Sequence, residues 1–149
     1  MAVKTLSDLL VIHEGLRLRP YDDATGRQLT PGGALQGKIT IGVGRNLTDV
    51  GITRQEALWL LKQDIATAKS KAKQYKWYTQ LNSARQAVIV SMVFNMGSIR
   101  SFVKLRQAIS VKDWKEAVAQ MRDSKWATQI GASRLDTLTR MMATGRWQA

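Results

Sequence analysis

Only three glutamates occur in the 149 residues, and one of them stands apart. Glu56 belongs to Thr53-Arg54-Gln55-Glu56, a capping box in which the Thr and Glu side chains satisfy each other's backbone amides at a helix start. Glu116 lies in a charged helical stretch. Glu14 follows Val11-Ile12-His13 at the end of a predicted helix, with Asp22 and Asp23 in the segment beyond. A carboxyl group beside apolar residues can keep its proton near neutral pH, while a better solvated one stays charged. Glycosidic bond cleavage needs that division of labour: an acid for the leaving oxygen, and a carboxylate that directs water or attacks carbon. On residue types alone, a glutamate near a helix end and an Asp-Asp turn are equally ordinary surface features.

Other chemistries have less to work with. There is no cysteine, so disulfides, thiolate metal sites and thiol nucleophiles are excluded. A single histidine, His13, excludes a multi-histidine metal centre. Gly42-Val43-Gly44 lacks a third glycine and runs into Arg45, so it is weak evidence for a dinucleotide loop. No serine sits in a glycine-flanked elbow. The expectation is an enzyme without metal or cofactor.

The elements that would hold these carboxyls can be read from patterning. Leu6 to His13 is mostly apolar, follows Thr5 and Ser7 as candidate caps, and stops at Glu14-Gly15. From Arg17 to Gly44, two prolines and six glycines break helical periodicity. Lys38 to Val43 is β-branched and reads as a strand, and Pro31-Gly32-Gly33 as a turn, which predicts a small antiparallel sheet. Beyond Ile52 helices dominate. One runs from the Thr53 capping box to about Tyr75, carrying Leu58, Leu61, Ile65 and Ala68. A second box, Ser83-Ala84-Arg85-Gln86, opens an apolar helix ending at Gly97. Further helices carry Trp114, Val118 and Met121, and run from about Ser133 to Met142 before Gly145. The fold class is α+β, mainly α, in one domain: a helix-plus-sheet lobe over about 12–55, a connecting helix over about 53–75 and a helical lobe over about 76–149, with the first helix packing near the latter. A cleft between lobes would suit a polymer.

The order of the residues narrows the chemistry. Glu14-Gly15-Leu16-Arg17-Leu18-Arg19-Pro20-Tyr21-Asp22-Asp23, followed by Lys38-Ile39-Thr40-Ile41-Gly42-Val43-Gly44, closely resembles the active-site region of phage-type lysozymes, glycoside hydrolase family 24. That family reads Glu-Gly, then Tyr-x-Asp, then Thr-Ile-Gly-x-Gly. Met92-Val93-Phe94-Asn95-Met96-Gly97, Trp114, Lys125-Trp126 and Gly145-Arg146-Trp147 follow in the family's order at similar spacing, so the resemblance covers nearly the whole chain. It implies a lysozyme-like two-lobed fold and an N-acetylmuramidase acting on the β-1,4 bond of bacterial peptidoglycan. By the same resemblance Glu14 is the general acid, Asp23 the second carboxylate, Thr40 the hydroxyl that helps position water, and Arg134 the arginine that orients Glu14. Asn46, Phe94, Asn95 and Gln120 fall at sugar-contacting positions. The implied reaction inverts the anomeric centre, which requires the carboxyls roughly 6.5–9.5 Å apart.

Three departures from the family pattern stand out. Sixteen residues separate Asp23 from Thr40, where the family's T-even members have a tighter turn, so Thr25 to Gly37 should lengthen a hairpin or loop. Arg45 replaces a common histidine, so an ion pair there should not titrate near neutral pH. Leu105 falls near a position where a small hydroxyl residue often touches substrate in the family.

Lys and Arg total 23 against 11 Asp and Glu, a formal charge of +12 that predicts attraction to polyanions. Peptidoglycan and anionic membrane or outer-membrane surfaces are the expected partners of a monomer. A basic nucleic-acid-binding module is the alternative, but no helix-turn-helix or aromatic RNA-binding signature supports it, so nucleic acid is not expected. A second alternative adds membrane disruption by the cationic C-terminal helix. The start, Met1 to Leu10, reads as no secretory signal, and no apolar run is long enough to span a membrane. The expectation is a cytoplasmic protein released to the wall through a separate membrane-pore protein, as the resemblance implies for host lysis. Trp59, Trp114 and Trp147 are expected in the core, and Trp126 is the expected exception.

Overall fold

A computed structural model describes residues 4–148. The chain divides into two compact units, 1–58 and 59–149.

The first unit opens with α1 (Leu6–Glu14). Its start is local hydrogen-bond chemistry: Thr5 Oγ1 accepts from the Asp8 amide, and the Asp8 carboxylate accepts from the Thr5 amide, closing a capping box. Three antiparallel strands follow in the order β1 (Arg17–Asp22), β2 (Ile39–Gly42), β3 (Arg45–Asn46). Tyr21 pairs with Thr40 and Asp22 with Ile39, while an irregularity interrupts the ladder between Arg17 and Tyr21.

The segment from Thr25 to Gly37 is the lengthened turn expected from the spacing, and it is ordered by backbone pairing. It folds back onto the other edge of β1, where Tyr21 bridges Gln28 and the Leu29 amide donates to Pro20 O at 2.9 Å. The free edge of β1 is thereby covered. Arg17 ties down the start of the segment, donating to Gly26 O at 2.8 Å with its guanidinium 3.9 Å from the centre of the Tyr21 ring.

The long helix α2 (Arg54–Ala72) starts at the expected capping box. The Thr53 amide donates to Glu56 Oε2 at 2.7 Å and the Glu56 amide to Thr53 Oγ1 at 3.2 Å. Arg45 adds a fork, with Nη2 2.7 Å from Glu56 Oε1 and Nη1 3.1 Å from Oε2. The Thr53 amide first, then Arg45, hold the Glu56 carboxyl below the ordinary glutamate range. A lowered folded-state value means stability present at neutral pH and lost as the pH falls through it. The thermal midpoint is therefore expected to drop on acidification below about pH 4.5. Glu56→Gln should lower the midpoint at pH 7 and flatten that acid limb, read by circular dichroism melts across pH. A variant with the wild-type acid limb would remove Glu56 from the account.

The second unit holds the apolar core. Its centre is α3 (Ser83–Met96), which buries Ala84, Val88, Ile89, Val90, Met92 and Val93. Around it lie α4 (Val103–Ser110), α5 (Trp114–Arg122), α6 (Lys125–Ile130) and α7 (Ala132–Thr144), with α5 and α3 both packing on α7. The cap of α3 sits one residue earlier than the Ser83 box predicts. Asn82 Oδ1 accepts the Arg85 amide, while Ser83 Oγ accepts instead from Trp147 Nε1. Arg85 spans to the end of α7, donating to Met142 O and Ala143 O and lying 3.8 Å from the centre of the Trp114 ring. These bonds satisfy carbonyls that a helix end leaves open.

The tryptophans correct the sequence reading. Trp126 is 2% exposed, whereas Trp59 and Trp147 are 61% and 64% exposed. Trp114 is half-buried against the core as expected. Among the described residues no helix is long and apolar enough to cross a membrane.

Candidate active site

Glu14 is the last residue of α1, on a helix with no buried residue. It is exposed, so it lacks the apolar shielding that its neighbours Val11 and Ile12 suggest. The turn between β2 and β3 lies against it. A Cβ built on Gly44 would stand 3.4 Å from Glu14 Oε2 and 3.7 Å from its Cγ, and Gly44 holds φ +68°, which disfavours any side chain. The second glycine of Thr-Ile-Gly-Val-Gly is thus required by the backbone conformation of the turn, which lies within contact distance of the Glu14 side chain.

Asp23 and Thr40 meet through one residue. The Lys38 amide donates to Asp23 Oδ1 at 2.6 Å, and Lys38 O accepts from the Asp23 amide at 3.1 Å. The Thr40 hydroxyl lies 3.4 Å from the same Lys38 O, too far for a strong bond, so it remains able to turn to another acceptor. Thr40 is 4% exposed and Asp23 is exposed. The first unit therefore groups Glu14 with the β2–β3 turn, and Asp23, the first residue beyond β1, with Thr40 on β2.

Asn46, on β3 opposite Thr40, is half-buried and engaged. Its Nδ2 donates to Asp49 Oδ2 and its Oδ1 accepts the Asp49 amide, which shapes the turn toward α2. Sequence reasoning did not single out this local role.

The other candidates lie in the second unit. Phe94 is 46% exposed near the end of α3. Its neighbour Asn95 accepts the Trp126 indole N–H at 3.0 Å on Oδ1, leaving its amide nitrogen available. Gln120 lines a cavity of about 580 Å³ with Met96, Phe102, Lys104, Leu105 and Trp126, and its Nε2 donates to Glu116 Oε1 at 2.7 Å. Leu105 is buried at 1% exposure and is a packing residue of the core. Arg134 is exposed on the first turn of α7.

A family model described as phage lysozyme matches residues 11–144, a span that includes every one of these residues. The chain belongs to the phage lysozyme family. Two proteins of Dictyostelium discoideum are similar to it along most of their length. "Probable T4-type lysozyme 2" is 26% identical over 159 residues, covering 85% of this chain and 87% of that protein. "Probable T4-type lysozyme 1" is 25% identical over 179 residues, covering 99% and 98%. The phage lysozyme family brings with it a glycosidase of lysozyme type, and the mainly helical α+β fold with a small antiparallel sheet accords with it.

Proposed function

We propose that this phage lysozyme family member is an N-acetylmuramidase that hydrolyses the β-1,4 bond between N-acetylmuramic acid and N-acetylglucosamine in bacterial peptidoglycan, with inversion, in host cell lysis. The observation that carries the reading is the grouping of Asp23 with Thr40 through Lys38, in the same compact unit as Glu14 on the glycine turn.

In this mechanism the Glu14 carboxyl protonates the glycosidic oxygen as the bond to the anomeric carbon breaks. Asp23, ionised and held by the Lys38 amide, takes a proton from a water that attacks the opposite face of the sugar. The Thr40 hydroxyl orients that water. By the family resemblance Arg134 is the residue that supports the acid, and Asn46, Phe94, Asn95 and Gln120 are those that contact the glycan. An acid and a base on opposite faces account for inversion, since water enters where the leaving group is not.

The charge distribution supports an anionic target. Residues 59–149 carry sixteen lysines and arginines against five acids, whereas residues 1–58 carry seven against six. Nearly all the excess positive charge thus belongs to the helical unit, which would be drawn to acidic wall and outer-membrane polymers and release them as salt rises. Access to the wall is through a separate membrane-pore protein.

Digestion of purified peptidoglycan tests the reaction. New reducing muramic acid ends are expected, first released as the α anomer by proton NMR. Anhydromuramic ends would make the protein a lytic transglycosylase instead, and an initial β anomer would make it a retaining enzyme.

A further inference from the structure

Asp22, the neighbour of Asp23, has no part in the chemistry above, yet it is 2% exposed. Its carboxylate is satisfied by backbone amides. Oδ1 accepts from Ala24 at 2.9 Å and from Gly37 at 3.0 Å, and Oδ2 accepts from Gln36 at 2.7 Å. Such charge-assisted bonds are among the stronger ones available to a backbone. The main chain of Asp22 adds two more, its amide to Arg27 O at 2.9 Å and its carbonyl from the Gly26 amide at 2.8 Å. One residue therefore holds both the start and the finish of the segment that runs from Thr25 to Gly37.

That finish adjoins the site. Gln36 and Gly37 immediately precede Lys38, whose amide binds Asp23 Oδ1. Three consecutive amides, 36 to 38, grip two consecutive carboxylates. The packing is close enough to exclude a side chain at position 37. A Cβ there would lie 2.7 Å from Ala24 Cβ and 2.8 Å from Ala24 N, and would overlap Asp23 Oδ1.

We propose that Asp22 is a positioning residue for Asp23: it clamps the two ends of the Thr25–Gly37 segment so that the Lys38 amide fixes the Asp23 carboxylate for its work on water. The Gln36 amide above all holds the Asp22 carboxyl below the usual aspartate range, so the clamp stays charged through neutral pH. The role rests on the reading of Asp23 as the second carboxylate. It explains how a long excursion between Asp23 and Thr40 coexists with a defined Asp23 geometry, since the closure is made at the base of the loop rather than along it.

Asp22→Asn and Gly37→Ala test the clamp, with amide hydrogen exchange at residues 36–38 and kcat and KM on soluble glycan strands. In Asp22→Asn an amide NH2 replaces one acceptor oxygen. The expected result is lost protection at Gln36, Gly37 and Lys38, a roughly 10–100-fold lower kcat, a KM within about twofold, and an unchanged helical circular dichroism signal. Gly37→Ala should lower kcat similarly with Asp22 intact, because it presses directly on Asp23. Faster exchange with unaltered kcat would overturn the proposal. So would kcat, KM and the helical signal failing together, which marks a purely structural role. If the wild-type protein cleaves no glycan, the functional reading fails, but exchange still judges the clamp: Lys38 remaining protected after Gln36 and Gly37 are released would sink it.

Discussion

Glu14→Gln is expected to keep the fold and to lose about 10²–10⁴-fold of the rate of peptidoglycan hydrolysis, the usual contribution of a positioned general acid. The amide is nearly isosteric with the carboxyl group, but it has no acidic proton to give to a departing sugar oxygen. Stability should change by less than about 0.5 kcal/mol, since Glu14 is exposed at a helix end and the neighbouring helix residues bury nothing that the substitution touches. Asp23→Asn should also be severely impaired, and the double variant should be little worse than Glu14→Gln, because an acid and a base that serve one transition state do not contribute additively. The measurement is initial release of reducing ends at matched protein concentration, with a thermal melt to show that both variants are folded. A Glu14→Gln protein within tenfold of wild type would remove Glu14 from the chemistry.

What could be read beforehand followed the range of the interactions involved. The Thr53–Glu56 capping box is written in four residues because both of its bonds close within them. The ends of α1 at Thr5 and Gly15 are equally local. The helix α4 is not legible in the sequence because Phe102 at its start makes no side-chain cap, and α6 because six residues are too few to display a period. Burial is the property least legible in local sequence. Trp59 has apolar sequence neighbours, but Leu58, Leu60 and Leu61 are themselves exposed. Trp126 sits in the polar stretch Ser124-Lys125-Trp126-Ala127-Thr128 and is buried because a residue 31 positions away, Asn95, accepts its indole N–H. Asp22 and Asp23 are the finest case. Asp22 ends β1 and Asp23 opens the turn beyond it, one buried and the other exposed. Which of them turns inward depends on the amides of Gln36 and Gly37, and no local pattern announces those.

Trp126→Ala is expected to be the most destabilising single change in the helical unit. The indole is buried beside α3, forms part of the wall of the Gln120 cavity, and gives its only polar hydrogen to Asn95. Truncation leaves a void and removes the hydrogen bond to the exposed Asn95, and large aromatic-to-alanine changes in cores cost about 3–5 kcal/mol. At about 2–4 °C per kcal/mol for a chain of this size, the thermal midpoint should fall by roughly 6–20 °C. Trp126→Phe separates the two contributions: it keeps most of the packing, loses the hydrogen bond, and should cost about 1–2 kcal/mol. If Asn95 must present its amide nitrogen to the glycan, Trp126→Phe should also raise KM while the protein stays folded at the assay temperature, because the bond that holds the Asn95 rotamer is gone. A Trp126→Phe protein with wild-type KM would confine that hydrogen bond to stability. A Trp126→Ala protein that melts within 2–4 °C of wild type, about 1 kcal/mol, would show that the core of the helical unit closes without the indole.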